Sequence, residues 1–542
     1  MIPYFELRRR PVASVSSVRE GKEHRYARLA DDPGFPGDIP WTLQKLLLFL
    51  SDRSEHQGNV QALKPGDMSY DLILVGTGFS SSFFLLEYLA ASPKTARVLV
   101  IERGRRESRG WQLEHRRVSR ISHRSTFEST GLRSKNWMFT LGFGGGSNCW
   151  WACTPRLLPS DFRMKTLYGV GDDWPISYDD LEPFYEAVEQ VMAISGPADP
   201  PYPRRSPPPQ PPHNLSDPDR LLARAYPGQY LAQATARARL PTGRRGVCCG
   251  TGVCTLCPVD AKFTIENGLA EVYADPRVTL QLGTEVRTVD LSGGRVTGVQ
   301  LEQKGRVDRV AGDLVVLGAG AIFNVAILLR SGVQHPLLGR RLFEQMSVTA
   351  DVDLRGVDNF QGSTVITGQG YMLYDGPHRS SRAACLIEGW NQPTELRSEP
   401  GRARQLMQLK FIFEDLPQER NRVTLGADDR PVLEFHDYSG YAYRGRDALP
   451  GRLDSLLAPL PVERIALGLQ PSATEGHILG TTVMGRDPAT SVVDRWMVHH
   501  DLRNLVVLGG GAFPTGSPTN PTLTISALAL RSARHLLRKG AH

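Results

Sequence analysis

The 542-residue sequence predicts an α/β fold, α+β over its whole length, in which a Rossmann-like nucleotide-binding domain carries a second domain built on an antiparallel sheet. Three observations predict it. A buried-strand pattern, a glycine turn, a helix pattern and a second buried strand follow one another over residues 70–102. Strand-to-glycine transitions recur far downstream, at "VVLGAGAIFNVAILLRSG" (315–332) and "NLVVLGGGAFPTG" (504–516). Between those two, residues 346–460 carry short strand patterns broken by turns.

In "YDLILVGTGFSSSFFLLEYLAAS" the unbroken apolar run reads as a strand covered on both faces. Gly76 permits the tight turn and Gly78 lets the backbone approach a pyrophosphate. The helix that follows offers free N–H groups and a partial positive charge. Ser81, a small residue, stands where the third glycine of such a turn packs the helix on the strand. "ARVLVIERG" is the second strand, and Glu102 at its end is placed to accept hydrogen bonds from the ribose hydroxyls of a dinucleotide. A glycine turn alone is a weak sign, but the flanking strands and the acid at this spacing make it a dinucleotide site. A second glycine-rich stretch, "LGFGGGSNCWWACTPR" (141–156), ends in aromatics and suits close backbone approach to a flat ring.

Residues 1–67 are polar and read as an N-terminal extension for which disorder is expected. The fold proper is expected in segments: 68–195 and 241–345 as the first two parts of the nucleotide domain, 346–460 as the substrate-binding domain, and 461–542 as the third nucleotide part. "GPADPPYPRRSPPPQPPHNLSDPDR" (196–220) is too proline-rich for regular structure, so 196–240 is expected to be a loop. "FEDLPQERNRVTL" (413–425) is expected in an antiparallel sheet that roofs the substrate pocket.

Composition narrows the function classes. Net charge is +7, yet only ten of the 64 basic residues are lysine and the arginines are scattered, with no nucleic-acid-binding signature. No run of eighteen apolar residues is present, so direct membrane insertion is not expected. No apolar stretch follows the arginines of "MIPYFELRRRPVASV", which gives no secretion signal and an expected cytoplasmic location. Seven cysteines, an odd number, argue against a disulfide framework.

The N-terminal turn, "GGGSNCWWACTPR", "DWPISYDDLEPFYEAVEQ" (173–190), "GAGAIFNVAILLRSG", "GHILGTTVMGRDPATSVVD" (476–494) and "GAFPTGSPTNPTLT" (511–524) together resemble the glucose–methanol–choline (GMC) oxidoreductases. The resemblance covers most of 68–540 in the family's order and is most like the pyranose-oxidase and bacterial sugar-dehydrogenase branches. It implies FAD as the dinucleotide. It also implies oxidation of a primary or secondary alcohol, of a sugar or glycoside, by hydride transfer to flavin N5. Gly145, Gly146, Ser147, Asn148, Cys149, Trp150, Gly510, Pro521 and Thr522 join the turn residues as the expected flavin contacts. Pyranose oxidases attach FAD through a histidine in a Ser–Thr–His–Trp stretch; this chain reads Ser147-Asn148-Cys149-Trp150, so non-covalent FAD is expected.

Taking a hydride from a carbinol requires a base for the hydroxyl proton, and histidine suits that task near neutral pH. By the resemblance, His477 in "GHILGTTVMG" is the base and Asn520 in "TNPTLT" is the partner that holds the substrate oxygen in line. His499 and His500, adjacent on an extended segment, point to opposite sides and read as solvated.

Four of the seven cysteines, Cys248, Cys249, Cys254 and Cys257, give the pattern CC-x4-C-x2-C-P. Zinc normally takes paired CxxC knuckles or histidines, and the spacing is tight for disulfides. Glycine-bearing loops of closely spaced thiolates with proline after the last suit an iron–sulfur cluster, and structural thiols are the other reading. The resemblance adds that some bacterial GMC sugar dehydrogenases carry a cluster just before an Ala–Lys stretch, here Ala261-Lys262. Cys248, Cys254 and Cys257 are then the expected ligands of a three-iron cluster, with Cys249 joining if the loop turns inward. Such a cluster would pass electrons to a non-oxygen acceptor, a protein or a membrane carrier, and a small partner subunit that also carries an export signal fits the same branch. The alternatives are an oxidase that reduces O2 to H2O2, and a redox-silent FAD-containing lyase or electron-transfer module.

Overall fold

The computed structural model describes residues 69–391 and 395–539. The extension expected over 1–67 lies outside the described residues apart from its sequence.

Strands are numbered in chain order. The run "YDLILV" forms β1 (Tyr70–Val75), buried on both faces except at Asp71, as its unbroken apolar pattern requires. β1 lies between two parallel neighbours, β2 (Val98–Glu102) and the distal half of β8 (Arg306–Leu317). β5 (Val278–Leu282) extends the sheet beyond β2, and β16 (Leu505–Val507) pairs in parallel with the end of β8. The proximal half of β8 instead continues antiparallel into β7 (Arg295–Gln303) and β6 (Glu285–Ser292). Three strands that are remote in sequence therefore bring their carboxyl ends together, each running into a glycine turn. Helices α1 (Phe79–Ala91), α4 (Gly320–Arg330) and α5 (Thr522–Lys539) follow those turns.

The second sheet has six strands, all antiparallel, in the order β15 (Val462–Gly468), β9 (Met346–Leu354), β12 (Leu406–Phe413), β11 (Cys385–Trp390), β10 (Ile366–Leu373) and β4 (Tyr230–Ala232). A small third sheet joins β13 (Arg422–Leu425), β14 (Pro431–Phe435) and β3 (Glu128–Gly131).

Three boundaries differ from the expected ones. Within the 196–240 loop, α3 (Asp217–Ala225) starts from a Ser216 capping box with proline in its first turn, and β4 completes the edge of the six-stranded sheet. The proline density that argued for a loop ends where these elements begin. The substrate-side sheet also takes β15 from beyond 460. Of 413–425, only Phe413 lies in that sheet, because Arg422–Leu425 turns away into the third. The motif "DWPISYDDLEPFYEAVEQ" yields α2 (Tyr178–Met192), capped by the Ser177–Asp180 pair. Among the described residues no helix is long and apolar enough to cross a membrane.

Candidate active site

The ends of β1 and β2, the 145–150 stretch and the starts of α4 and α5 open on one elongated cavity of about 530 Å³. Ligands of open parallel sheets sit at such a place, beyond the carboxyl ends of the strands. Gly76 takes φ +91° there, and a Cβ on it would lie 2.7 Å from the Gly318 carbonyl oxygen, so the turn accepts glycine alone. A Cβ on Gly78 would meet nothing within 4 Å, which means the space before the turn is open. Gly78 caps α1 without a side-chain hydrogen bond and leaves the first-turn N–H groups for a ligand.

The expected contacts divide into two sets. Gly76, Gly78, Glu102, Gly145, Gly146, Cys149, Trp150, Gly510, Pro521 and Thr522 line the cavity together with His477 and Asn520. Ser81, Ser147 and Asn148 do not; they stand behind its wall. The Ser81 hydroxyl donates to the carbonyls of Val75 and Gly318, tying helix to strand as a third glycine would by close packing. Ser147 accepts from the Ile265 N–H, and the Asn148 amide donates to the carbonyls of Phe143 and Gly145, which shapes the turn from within. Cys149 sits beside Trp150, whose ring packs edge-on to Phe79 at 4.6 Å.

Glu102 departs from its expected role. Its Oε1 accepts from the N–H groups of Gly104 (2.9 Å) and Gly142 (3.0 Å), and its Oε2 from the N–H (3.1 Å) and hydroxyl (2.9 Å) of Thr77. A carboxylate offers about four lone-pair sites, so the protein already engages all of them and none is left open for ribose. Glu102 instead binds three turns together, and burial pushes its carboxyl above the usual range.

The far end of the cavity is built by contacts between remote segments. Buried Glu344, at the start of the second sheet, gathers the loop that carries His477. Its Oε2 accepts from the N–H of His477 (3.1 Å) and its Oε1 from the N–H of Glu475 (3.3 Å), while buried Lys135 pairs with it. The next residue, Gln345, bridges the His477 and Asn520 segments. Its Nε2 donates to the carbonyls of Ser517 and Thr519, each at 2.9 Å, which sets the amide orientation. Its Oε1 therefore faces His477 Nδ1 at 3.1 Å, and that nitrogen must carry the proton. The lone pair of the imidazole is then on Nε2. Burial pulls the His477 pKa down to about 4, so the ring is neutral at pH 7. Asn520, one residue past Thr519, holds a buried amide oxygen with no hydrogen-bond partner beside the cavity. Glu344 and Gln345 left no signal in the sequence, because each acts only through loops distant in the chain.

Two GMC oxidoreductase family models match this sequence, over residues 229–347 and 461–529. These segments carry the N- and C-terminal domains of GMC oxidoreductases. Among the chain's relatives, the fructose dehydrogenase large subunit of Gluconobacter japonicus is 28% identical over 456 residues, 73% of this chain and 80% of the relative. The 6'''-hydroxyparomomycin C oxidase of Streptomyces lividus is 28% identical over 535 residues, 87% of this chain and 92% of the relative. The solved structure of pyridoxine 4-oxidase from Mesorbium loti superimposes with a TM-score of 0.62 at 20% identity, over 88% of this chain and all of that one, and shows the common fold. GMC enzymes bind FAD, and the open glycine turn and the uncapped helix start in one continuous cavity fit that cofactor.

An iron–sulfur cluster on the cysteine loop finds no support. Among the described residues, no group of three or more His, Cys, Asp or Glu side chains is placed to hold a metal ion. The four thiols line one small cavity with Arg237 and Lys262, but each has its own neighbours. Cys249 is exposed against the Thr251 hydroxyl and Cys248 lies 3.4 Å from that of Thr364. Cys254 packs in an apolar cluster with Cys153, Val365 and Ile366. Burial raises the Cys254 thiol to about 11, away from the thiolate a metal needs. Cys257 is buried too, and the iron–sulfur cluster expected on Cys248, Cys249, Cys254 and Cys257 is not supported. The expectation of a non-oxygen acceptor, which rested on it, loses that ground. His499 is also corrected. It is 1% exposed and accepts main-chain N–H groups, so it is a core residue, while His500 bonds to Ser491.

Proposed function

We propose that this GMC oxidoreductase binds FAD without a covalent link and oxidises a hydroxyl of a sugar or glycoside, with His477 as the base. The observation that carries the reading is the cavity that runs from the glycine turns to a neutral imidazole whose free nitrogen is Nε2. Bound there, FAD supplies the acceptor for the hydride. His477 Nε2 takes the hydroxyl proton as the carbinol carbon gives up its hydride, and the Gln345 amide stabilises the imidazolium that results through its hold on Nδ1–H. The Asn520 amide holds the substrate oxygen in line, which the lack of a hydrogen-bond partner on its buried Oδ1 supports. A sugar substrate is supported by the likeness to the fructose dehydrogenase large subunit and the 6'''-hydroxyparomomycin C oxidase.

The test is anaerobic mixing of purified holoprotein with a panel of sugars and simple alcohols while flavin absorbance is followed. Bleaching by at least one sugar is expected, and a flavin that stays oxidised with every alcohol would sink the reading. Re-oxidation of the bleached enzyme by oxygen, scored as peroxide, against re-oxidation by a dye then separates oxidase from dehydrogenase. Because the Gluconobacter relative is by name a large subunit, a partner subunit belongs to the same proposal and is checked by co-purification from the source cell.

A further inference from the structure

The six-stranded sheet presents an unusual polar row to the same cavity. Glu388 on β11 and Lys410 on β12 are direct cross-strand partners, and both line the cavity wall across from the glycine turns. Cross-strand neighbours hold their side chains about 5 Å apart on one face. Trp390, two residues along β11 and therefore on that face, also lines the cavity and packs on Trp151 at 5.1 Å between ring centres. The protein satisfies these groups only in part. Gln233 donates to Glu388 Oε1 at 3.2 Å, the Cys153 thiol also bonds to Glu388, and Lys410 Nζ contacts Glu475 at 2.7 Å. An ammonium has three donors and a carboxylate about four acceptor sites, so each retains hydrogen-bonding capacity. Arg237 and Glu475 are the other charged groups near Glu388, so the pocket end holds two carboxylates against two cations. That balance favours a neutral ligand over an ammonium-bearing one.

We propose that Glu388, Lys410 and the Trp151–Trp390 pair form a sugar-ring subsite, in which Lys410 donates to one ring hydroxyl and Glu388 accepts from its neighbour. The tryptophan faces cover the apolar C–H side of the ring, as aromatic side chains do in pockets that combine apolar area with a few convergent polar groups. The ligand class is a polyhydroxylated ring with two adjacent free hydroxyls. This inference rests on the alcohol-oxidising reading above and adds the residues that select a sugar over a simple alcohol.

The experiment is anaerobic flavin reduction with glucose, glucosamine, single-deoxy glucoses and benzyl alcohol, in wild type, Glu388→Gln and Lys410→Met. The ratio of kcat/KM for glucose to that for benzyl alcohol is expected to fall about tenfold or more in each variant, as loss of a hydrogen bond to a charged group implies. Two adjacent deoxy positions should each weaken glucose in the wild type, a result that needs no variant to fold. Ratios that stay at the wild-type value in both FAD-loaded variants, or deoxy sugars that all react like glucose, overturn the subsite while leaving alcohol oxidation intact. Glucosamine preferred over glucose, with the preference lost only in Glu388→Gln, overturns it in favour of a cation site. A wild-type flavin that none of these compounds reduces removes the functional reading itself, and the subsite with it.

Discussion

His477 is half-buried on the cavity wall and His499 lies 1% exposed in the core, and desolvation pulls both pKa values down to about 4. Their wiring is opposite. His499 Nδ1 accepts from the N–H groups of Asp501 and Leu502, both at 3.2 Å, so its proton is on Nε2, which is buried without a partner. His477 Nδ1 instead gives its proton to Gln345 and keeps its lone pair on Nε2. Of the two, His477 alone lines the cavity. A displaced pKa therefore marks burial, whereas the tautomer and the space before the free nitrogen mark a base.

Alanine at each position breaks that comparison most sharply. His477→Ala should slow anaerobic flavin reduction by about 10²–10⁴, the usual contribution of a positioned base, while FAD stays bound. His499→Ala should leave that rate alone and lower Tm by a few degrees instead, because it empties a core site and frees two main-chain donors. Equal rate losses in the two variants would erase the difference.

A smaller effect is expected at Gln345. Gln345→Met removes the acceptor from Nδ1 and loosens the link to the Asn520 loop, so the reduction rate should fall about tenfold to a hundredfold. A structural role alone would not move the pH profile, which makes Gln345→Glu the sharper test. A carboxylate against Nδ1–H favours the imidazolium, so the pKa of His477 should rise and an acid limb should move up towards neutrality.

The smallest effect is on the wild-type profile. His477 must be unprotonated to act, and with its pKa near 4 it stays so throughout the neutral range. The reduction rate should be level from about pH 8 down to about pH 5 and fall only near the pKa of the buried ring. A limb near pH 6.5 would mean that His477 titrates like a solvated histidine, and the contrast with a surface imidazole would be lost.

Legibility followed the range of the interactions. The strand, the glycine turn and the helix of 70–91 are readable because periodicity and turn sterics act within a few residues, and Gly76 confirms it with a backbone angle other residues avoid. Ser81 and Glu102 show where local reading stops. Spacing puts both at the turn, yet their polar atoms are consumed by Gly318, Gly104 and Gly142, partners that no spacing rule names. The cysteines show the same limit, since Cys248, Cys249, Cys254 and Cys257 line one small cavity without, among the described residues, forming a group placed to hold a metal ion.

By itself, then, the sequence determined the parallel nucleotide-binding unit, the family, and the histidine and asparagine that end up in the cavity. Local sterics and family motifs carry those properties along the chain. Only the tertiary structure decided which nitrogen of His477 is free, that Glu344 and Gln345 hold its loop, and that Glu388, Lys410 and Trp390 face the same space. Those depend on hydrogen bonds and strand registers between residues tens to hundreds of positions apart, and nothing in the composition of either partner specifies them.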